Sequence, residues 1–224
     1  MTLLDTFFNG QVMLSAFPAL MRGFLNTLQL GLLAICLGVP LGLLISLVRL
    51  YAPKPLRWLA IGYIDIFRAM PVLVVLILIY FALPFVGIRL SSWVSATMAF
   101  TFVMSAYSAE VFRSGIESIP KGQFEASQAL GLSFILTLRK VVLPQAVKLV
   151  IPPTTSNCVS MFKDTSLASA VALPELLKEA NDAQAFYANP SPLIAAALLY
   201  LAFLWPMVRV VGYLEKRSKA AATR

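Results

Sequence analysis

The chain has 224 residues, of which 59% are hydrophobic and 12% charged, with 18 basic against 10 acidic side chains for a net charge of +8. That is too apolar for a soluble domain of this length and is the composition of one compact membrane domain. With no histidine in the sequence, imidazole proton relays, the usual zinc sites and Ser-His-Asp hydrolysis are excluded.

In chain order, residues 1–20 mix apolar and polar types up to Phe17-Pro18 and predict an amphipathic lead-in at the membrane interface. With Asp5 and no basic segment at its start, this stretch does not read as a cleaved signal peptide. Gly23 to Val48 is uncharged and predicts the first spanning helix, with Gly31, Gly38, Pro40 and Gly42 allowing close packing or a bend. Residues 49–68 read as a basic turn holding Arg49, Lys54, Arg57 and Arg68 with Pro53 and Pro55. Ala69 to Ile88 is the second predicted span, and Leu90 to about Ile119 the third. After a long polar interval come a fourth span, Leu149 to about Leu173, a polar connection from Glu175 to about Asn189, and a fifth span, Pro190 to Val211. Residues 213–224 form a basic tail whose end is expected to be disordered. Cys36 and Cys158 lie in apolar runs without metal-like or redox-like spacing and read as small buried residues.

Charge asymmetry sets the orientation. Placing the 49–68 turn, the 113–148 loop and the tail on one side collects fourteen of the 18 basic residues there. Only Arg22, Arg89, Lys163 and Lys178 remain elsewhere. The predicted fold is therefore an all-α integral membrane protein of five transmembrane helices, N-terminus out and C-terminus in. The basic excess is topological and needs no nucleic acid.

The polar interval between the third and fourth spans has local structure of its own. Pro120 suits the first turn of a helix and Gly131 the position just past a helix end. Ser133 caps a second helix, Phe134 to Leu143, which Pro144 is expected to stop. Read alone, Gly131 is an ordinary helix C-cap and Glu125 a solvated charge. Together, Glu125-Ala126-Ser127, three residues, Gly131, nine residues, Val141, one residue and Leu143-Pro144 resemble the Glu-Ala-Ala signature of the permease subunits of ATP-binding-cassette importers. Ser127 stands for the second alanine and Val141 for an isoleucine.

Further text resembles one branch, the permeases for polar amino acids of the histidine, glutamine and glutamate uptake systems. Ala106-Tyr107-Ser108-Ala109-Glu110-Val111-Phe112-Arg113-Ser114-Gly115 carries the likeness, as does Lys163-Asp164-Thr165-Ser166-Leu167. Phe67-Arg68-Ala69-Met70-Pro71 departs from that branch, as does Val74-Val75, which bears on the exact cargo. The resemblance implies a type I importer permease fold and one permease domain over 1–224, in the inner (plasma) membrane of a bacterium. It implies a cytoplasmic coupling loop over 120–144, in which Gly122, Glu125, Ala126, Ser127, Gly131, Leu143 and Pro144 engage a separate ATPase. Further implied partners are a second permease chain, identical or similar, and an external amino-acid-binding protein. ATP and magnesium belong to the ATPase, since no Gly-x-x-x-x-Gly-Lys-Ser/Thr loop occurs here. This chain is thus expected to be a transport subunit with no cofactor, metal or catalytic residue of its own.

Intramembrane polar residues are the candidate solute contacts. Asn157, Ser160, Lys163, Asp164, Thr165 and Ser166 form that set, with Asn157, Ser160 and Asp164 on one helical face. Asp164 can accept from an ammonium, and Asn157, Ser160, Thr165 and Lys163 can donate to a carboxylate. Lys163 and Asp164 can equally pair with each other to hold the bundle, and spacing leaves both roles open. Glu110 with Arg113, and Asp65 with Arg68, read as local ion pairs. Tyr80, Tyr107, Trp93 and Trp205 read as packing or interfacial aromatics. Rival functions differ in their signatures. An intramembrane enzyme lacks a Gly-x-Ser-x-Gly or His-Glu-x-x-His motif here. A recruitment or assembly protein, or a permease for another small polar metabolite, keeps the loop but changes the use of the fourth span.

Overall fold

A computed structural model describes residues 6–222, in which every regular element is helical. The axis is α1 (Gly10–Tyr51, 42 residues). Asn9 starts it by accepting from the backbone N–H groups of Gln11 and Val12 at 3.1 and 3.2 Å. Beyond it lie α2 (Lys54–Ala69), α3 (Val72–Ile77), α4 (Ser92–Glu117), α5 (Lys121–Ala129), α6 (Phe134–Thr137), α7 (Leu143–Asp164), α8 (Leu176–Tyr187) and α9 (Ser191–Ala222).

Helix α1 packs on its neighbours through a stripe of small residues, with Gly31 against Phe162 of α7 and Gly38 and Gly42 against α4. Gly31, Ala34, Gly38, Gly42 and Ser46 recur every three or four positions and are all buried. A β-carbon on Gly38 would come within 2.7 Å of the Met104 Cβ, and one on Gly42 within 2.5 Å of the Ser108 Cβ. The backbones therefore approach as closely as glycine permits. Around this seam Leu30, Leu76, Phe100, Val103 and Met104 are essentially inaccessible and form the main core. At one end α8 wedges between α1 and α9, with Leu20, Leu176, Ala180 and Ala196 buried together. Glu175, fully buried, caps α8 by accepting from the N–H groups of Leu177 and Lys178 at 2.9 and 2.7 Å, and the Tyr200 hydroxyl donates to it at 3.1 Å.

Several boundaries differ from the sequence expectation. From Gly10 onward the predicted lead-in is continuous with the first span in α1; residues 1–5 lie outside the described residues. The basic turn of 49–68 is mostly α2, started by Pro53 and Pro55 in positions where no backbone donor is needed. The second predicted span is broken. After a 106° bend from α2, α3 runs into a π turn over Leu78–Ala82 and a 3-10 turn over Leu83–Val86. The tail continues α9 as helix to Ala222.

Pro144 does not stop a helix. A π turn over Leu138–Val142 precedes it, in which the Leu143 N–H donates five residues back to the Leu138 carbonyl. The wider turn absorbs the backbone bond that proline cannot make, and Pro144 then occupies the first turn of α7. The other π turn has the same ending, with Leu83 donating to Leu78 directly before Pro84.

Among the described residues, two helices are individually long and apolar enough to cross a bilayer, α1 and the Ser191–Arg217 part of α9. Helix α2 with Val72–Val86 passes that test only as a bent pair. Helix α4 is less apolar because it carries Ser95, Thr101, Ser105 and Ser108, all of them turned inward and buried.

The glycine seam is testable. Gly42→Ala places a methyl group 2.5 Å from the Ser108 Cβ and 2.7 Å from the Ser105 carbonyl oxygen, with no flexible side-chain end to yield. It is expected to cost about 1–3 kcal/mol, read as a lowered unfolding temperature in detergent. Gly62→Ala, with nothing within 4 Å of the added carbon, should leave that temperature unchanged or raised.

Candidate functional site: a surface helix, an ion cluster and a polar cavity on one seam

Helix α5 is fixed to the bundle from beneath. Phe124 packs on a buried cluster of Ile116, Ile119, Val142 and Ala146, joined by Leu138 and Leu143. Ser127 also faces inward, and its hydroxyl donates to the Gln123 carbonyl at 2.7 Å, so a serine at this position is satisfied within its own helix. The helix ends in a Schellman arrangement: Gly131 N–H donates to Gln128 at 2.9 Å and Leu132 N–H to Ser127 at 3.0 Å. Gly131 itself has φ +74, the left-handed conformation that favours glycine. Ser133 then caps α6 by accepting from the Leu136 N–H.

The outer face is left open. Gly122, Glu125 and Ala126 are exposed, as is Pro144, while Leu143 is half-buried. Leu130 and Ile135 are 79% and 76% exposed, so large apolar side chains stand on the same surface element as Glu125, uncovered by any other described residue. Phe134 meets Tyr51 edge-on at 4.9 Å, which joins the end of α1 to this element.

Between α5 and the core lies a cluster of charges. Glu110 of α4 accepts from Arg49 of α1 at 2.8 Å, lies 3.9 Å from Arg68 of α2, and pairs with Arg113, which also pairs with Glu117. The expected Glu110–Arg113 pair is therefore present as part of a larger network. Arg68 turns toward Glu110, and no ion pair joins it to Asp65 among the described residues. Glu110 and Arg49 are each only about a fifth exposed. Three helices thus converge on one carboxylate.

Arg68 also lies 5.7 Å from the centre of the Tyr107 ring. Tyr107 leads to the polar cavity. A space of about 200 Å³ is lined by Asn157, Ser160, Met161 and Asp164 of α7, Val103, Met104 and Tyr107 of α4, and Val72 of α3. Asn157, Ser160 and Asp164 are thereby brought together as their spacing predicts. Lys163 is exposed on another face, and no ion pair links it to Asp164 among the described residues. Thr165 is buried and donates to the Phe162 carbonyl at 2.7 Å; Ser166 donates to the Lys163 carbonyl at 2.7 Å, and neither lines the cavity. Tyr107, read from sequence as a packing aromatic, is a cavity wall. The signal for it was available: Tyr107 is one helical turn from Glu110 in a polar run.

Farther along the same α4–α7 seam is an open groove of about 560 Å³, lined by Glu110, Arg113, Ser114, Gly115 and Ser118 on one side and Leu149, Val150 and Pro153 on the other. Gly115 lets Val150 approach its backbone closely. On the outward face of α7, Ser156, Ser160 and Lys163 are exposed at helical spacing.

Comparison with known proteins matches residues 38–220 to the family described as binding-protein-dependent transport system inner membrane component. The chain is 34% identical over 215 residues to the probable glutamine ABC transporter permease protein GlnM of Bacillus subtilis (strain 168), covering 93% of this chain and 97% of that protein. It is 38% identical over 168 residues to the L-cystine transport system permease protein TcyB of the same organism, covering 75% and 72%. The crystal structure of an amino acid ABC transporter with histidines superposes with a TM-score of 0.84 at 31% identity, over 92% of this chain and 96% of that one.

The ion cluster predicts an order of sensitivity. Glu110→Gln leaves three guanidinium groups with one remaining carboxylate, and should lower stability in detergent by about 1–3 kcal/mol. Glu117→Gln, at a side chain 51% exposed, should cost less than about 1 kcal/mol. Thermal unfolding of the two variants under one set of conditions checks the ranking.

Proposed function

This chain belongs to the family of binding-protein-dependent transport system inner membrane components, and on that premise we propose that it is the permease subunit of an importer for a polar amino acid. The observation that carries the cargo is the cavity. Asp164 supplies an acceptor for an ammonium, and Asn157, Ser160 and Tyr107 supply donors for a carboxylate, within about 200 Å³. That lies below the roughly 300 Å³ of drug-sized ligand pockets and suits one small zwitterion. Relatives named for glutamine and cystine support the same class.

The chain crosses the bacterial inner membrane five times, by α1, the broken α3 segment, α4, α7 and α9, with its N-terminus outside and its tail in the cytoplasm. The positive-inside distribution supports that orientation. The whole of 1–224 then acts as one permease domain. Helix α2, bearing Lys54, Arg57 and Arg68, lies on the cytoplasmic side with α5. Ser156, Ser160 and Lys163 are too polar to face lipid and are covered by a second permease chain or by the water-filled pathway between the two.

Solute arrives from an external binding protein, rests at the α4–α7 cavity and leaves by the groove beside Glu110 and Arg113. Alternating access is driven by a separate ATPase that holds ATP and magnesium and grips the open face of α5. Gly122, Glu125, Ala126 and Gly131 form that contact, Ser127 keeps the helix on its base, and Leu143 and Pro144 connect it to α7. Closing of paired ATPases draws the two α5 helices together and rocks α7 against α4.

Reconstitution of the chain with its partner permease, ATPase and binding protein tests this reading: an amino acid, offered with the binding protein, should raise ATP turnover and accumulate inside vesicles. Stimulation by a different class of polar metabolite, or by none, contradicts it. Asp164→Asn should raise the KM for uptake about tenfold, the loss of one charged hydrogen bond, while the ATPase still co-purifies; an unchanged KM returns Asp164 to a structural role. Glu125→Lys and Gly131→Asp should abolish ATPase co-purification with membrane insertion intact, the second also carrying about 1–2 kcal/mol of backbone strain. Full uptake in both variants would remove α5 from the coupling role.

A further inference from the structure

Among the described residues, little packs against the last half of α9. Leu201, Trp205, Val208, Val210 and Tyr213 are each more than half exposed, and Val211 alone between Leu201 and Arg217 is buried. The exposed surface is not uniform. Trp205, Arg209, Gly212 and Lys216 recur at intervals of four, three and four, which puts them in one line along the helix. Tyr213 and Val208 flank that line. Together these six residues surround a notch of about 600 Å³. A β-carbon on Gly212 would meet nothing within 4 Å, so the glycine leaves open space where any other residue would place a side chain.

Among the described residues, no anion of the protein pairs with the cations at this notch. Arg209 is held 5.5 Å from the centre of the Trp205 ring, and neither Arg209 nor Lys216 has an acidic partner among the described residues. The nearest acid in sequence, Glu215, projects about 90° round the helix from the line. The arrangement is graded along the axis: indole and valine toward the apolar run, then guanidinium, phenol and ammonium toward the chain end.

We propose that this notch binds the headgroup of an anionic phospholipid. The phosphate sits between Arg209 and Lys216 over Gly212, the Tyr213 hydroxyl donates to a phosphate or glycerol oxygen, and an acyl chain lies along Val208 and Trp205. An anionic headgroup satisfies both cations, whereas a choline or ethanolamine headgroup sets its own ammonium against them. The aromatic pair suits the depth at which chains give way to headgroups. The proposal rests on the reading of α9 as a membrane crossing whose end faces the cytoplasm.

The test uses the full chain with Trp58 and Trp93 replaced by phenylalanine, so that Trp205 is the one emitter, in lipid nanodiscs carrying brominated phosphatidylglycerol or brominated phosphatidylcholine at equal fraction. Brominated phosphatidylglycerol should quench Trp205 preferentially, with an apparent affinity advantage of roughly fivefold per cation. Arg209→Gln with Lys216→Gln should erase that advantage while quenching by brominated phosphatidylcholine persists. Equal quenching by the two lipids, or a preference that survives in the double variant, overturns the site and leaves the crossing intact. Quenching by neither lipid overturns the site together with the placement of α9 in the bilayer.

Discussion

The architecture depends on how closely α1 can approach α4. In a bilayer there is no hydrophobic drive between helices, because lipid is as apolar as leucine, so association rests on packing and on polar contacts. Gly38 and Gly42 meet Met104, Ser105 and Ser108 without an intervening β-carbon, and this contact fixes the height and rotation of α4. All else in the candidate pathway is referred to that rotation. Val103 and Tyr107 face the cavity because the adjoining side of the same helix is committed to the seam with α1, and Met104, at the border, touches both. Glu110, one turn on, is presented to Arg49, Arg68 and Arg113 for the same reason.

Several polar groups that hold the bundle are satisfied inside the chain: Glu175 by two backbone N–H groups and Tyr200, Ser127 by its own helix, Glu110 by its arginines; the buried Ser108 hydroxyl at the α1 seam has no hydrogen-bond partner among the described residues. Those assigned to transport are left open to a cavity or to the surface, as Asp164, Asn157 and the outer face of α5 are. Buried charge without a partner is costly in a low-dielectric interior. A carboxyl group such as Asp164, with a cavity before it and no ion pair to a cation among the described residues, is therefore in a position that a cationic solute group can stabilise.

Much of this was readable in the residues, and the limits have physical causes. Motif spacing located α5, the Gly131 turn and the Ser133 cap, because each depends on local backbone chemistry. Three-and-four spacing brought Asn157, Ser160 and Asp164 to one wall. What could not be read was anything set by a second helix. Tyr107 belongs to the cavity only because α7 lies opposite it, and Arg68 leaves Asp65 only because Glu110 is nearer to its guanidinium group in three dimensions. Hydropathy puts the second span at Ala69 to Ile88, close to the helical run Val72–Val86, but it does not register the 106° change of direction at Met70-Pro71 that separates this run from α2. Proline was misread at Pro144 because its missing donor ends an α-helix only when no wider turn takes up the slack.

That wider turn has a consequence for the length of the chain. The Leu138–Val142 π turn contains one residue more than an α-helical path requires, so this is where the polypeptide can be shortened at least local expense. Excising one residue there converts the turn to ordinary helix while leaving the elements on its N-terminal side near their present azimuth about the α7 axis, because the wide turn takes up its extra residue within itself. The surplus residue therefore lets the chain carry proline at position 144 without redirecting α5.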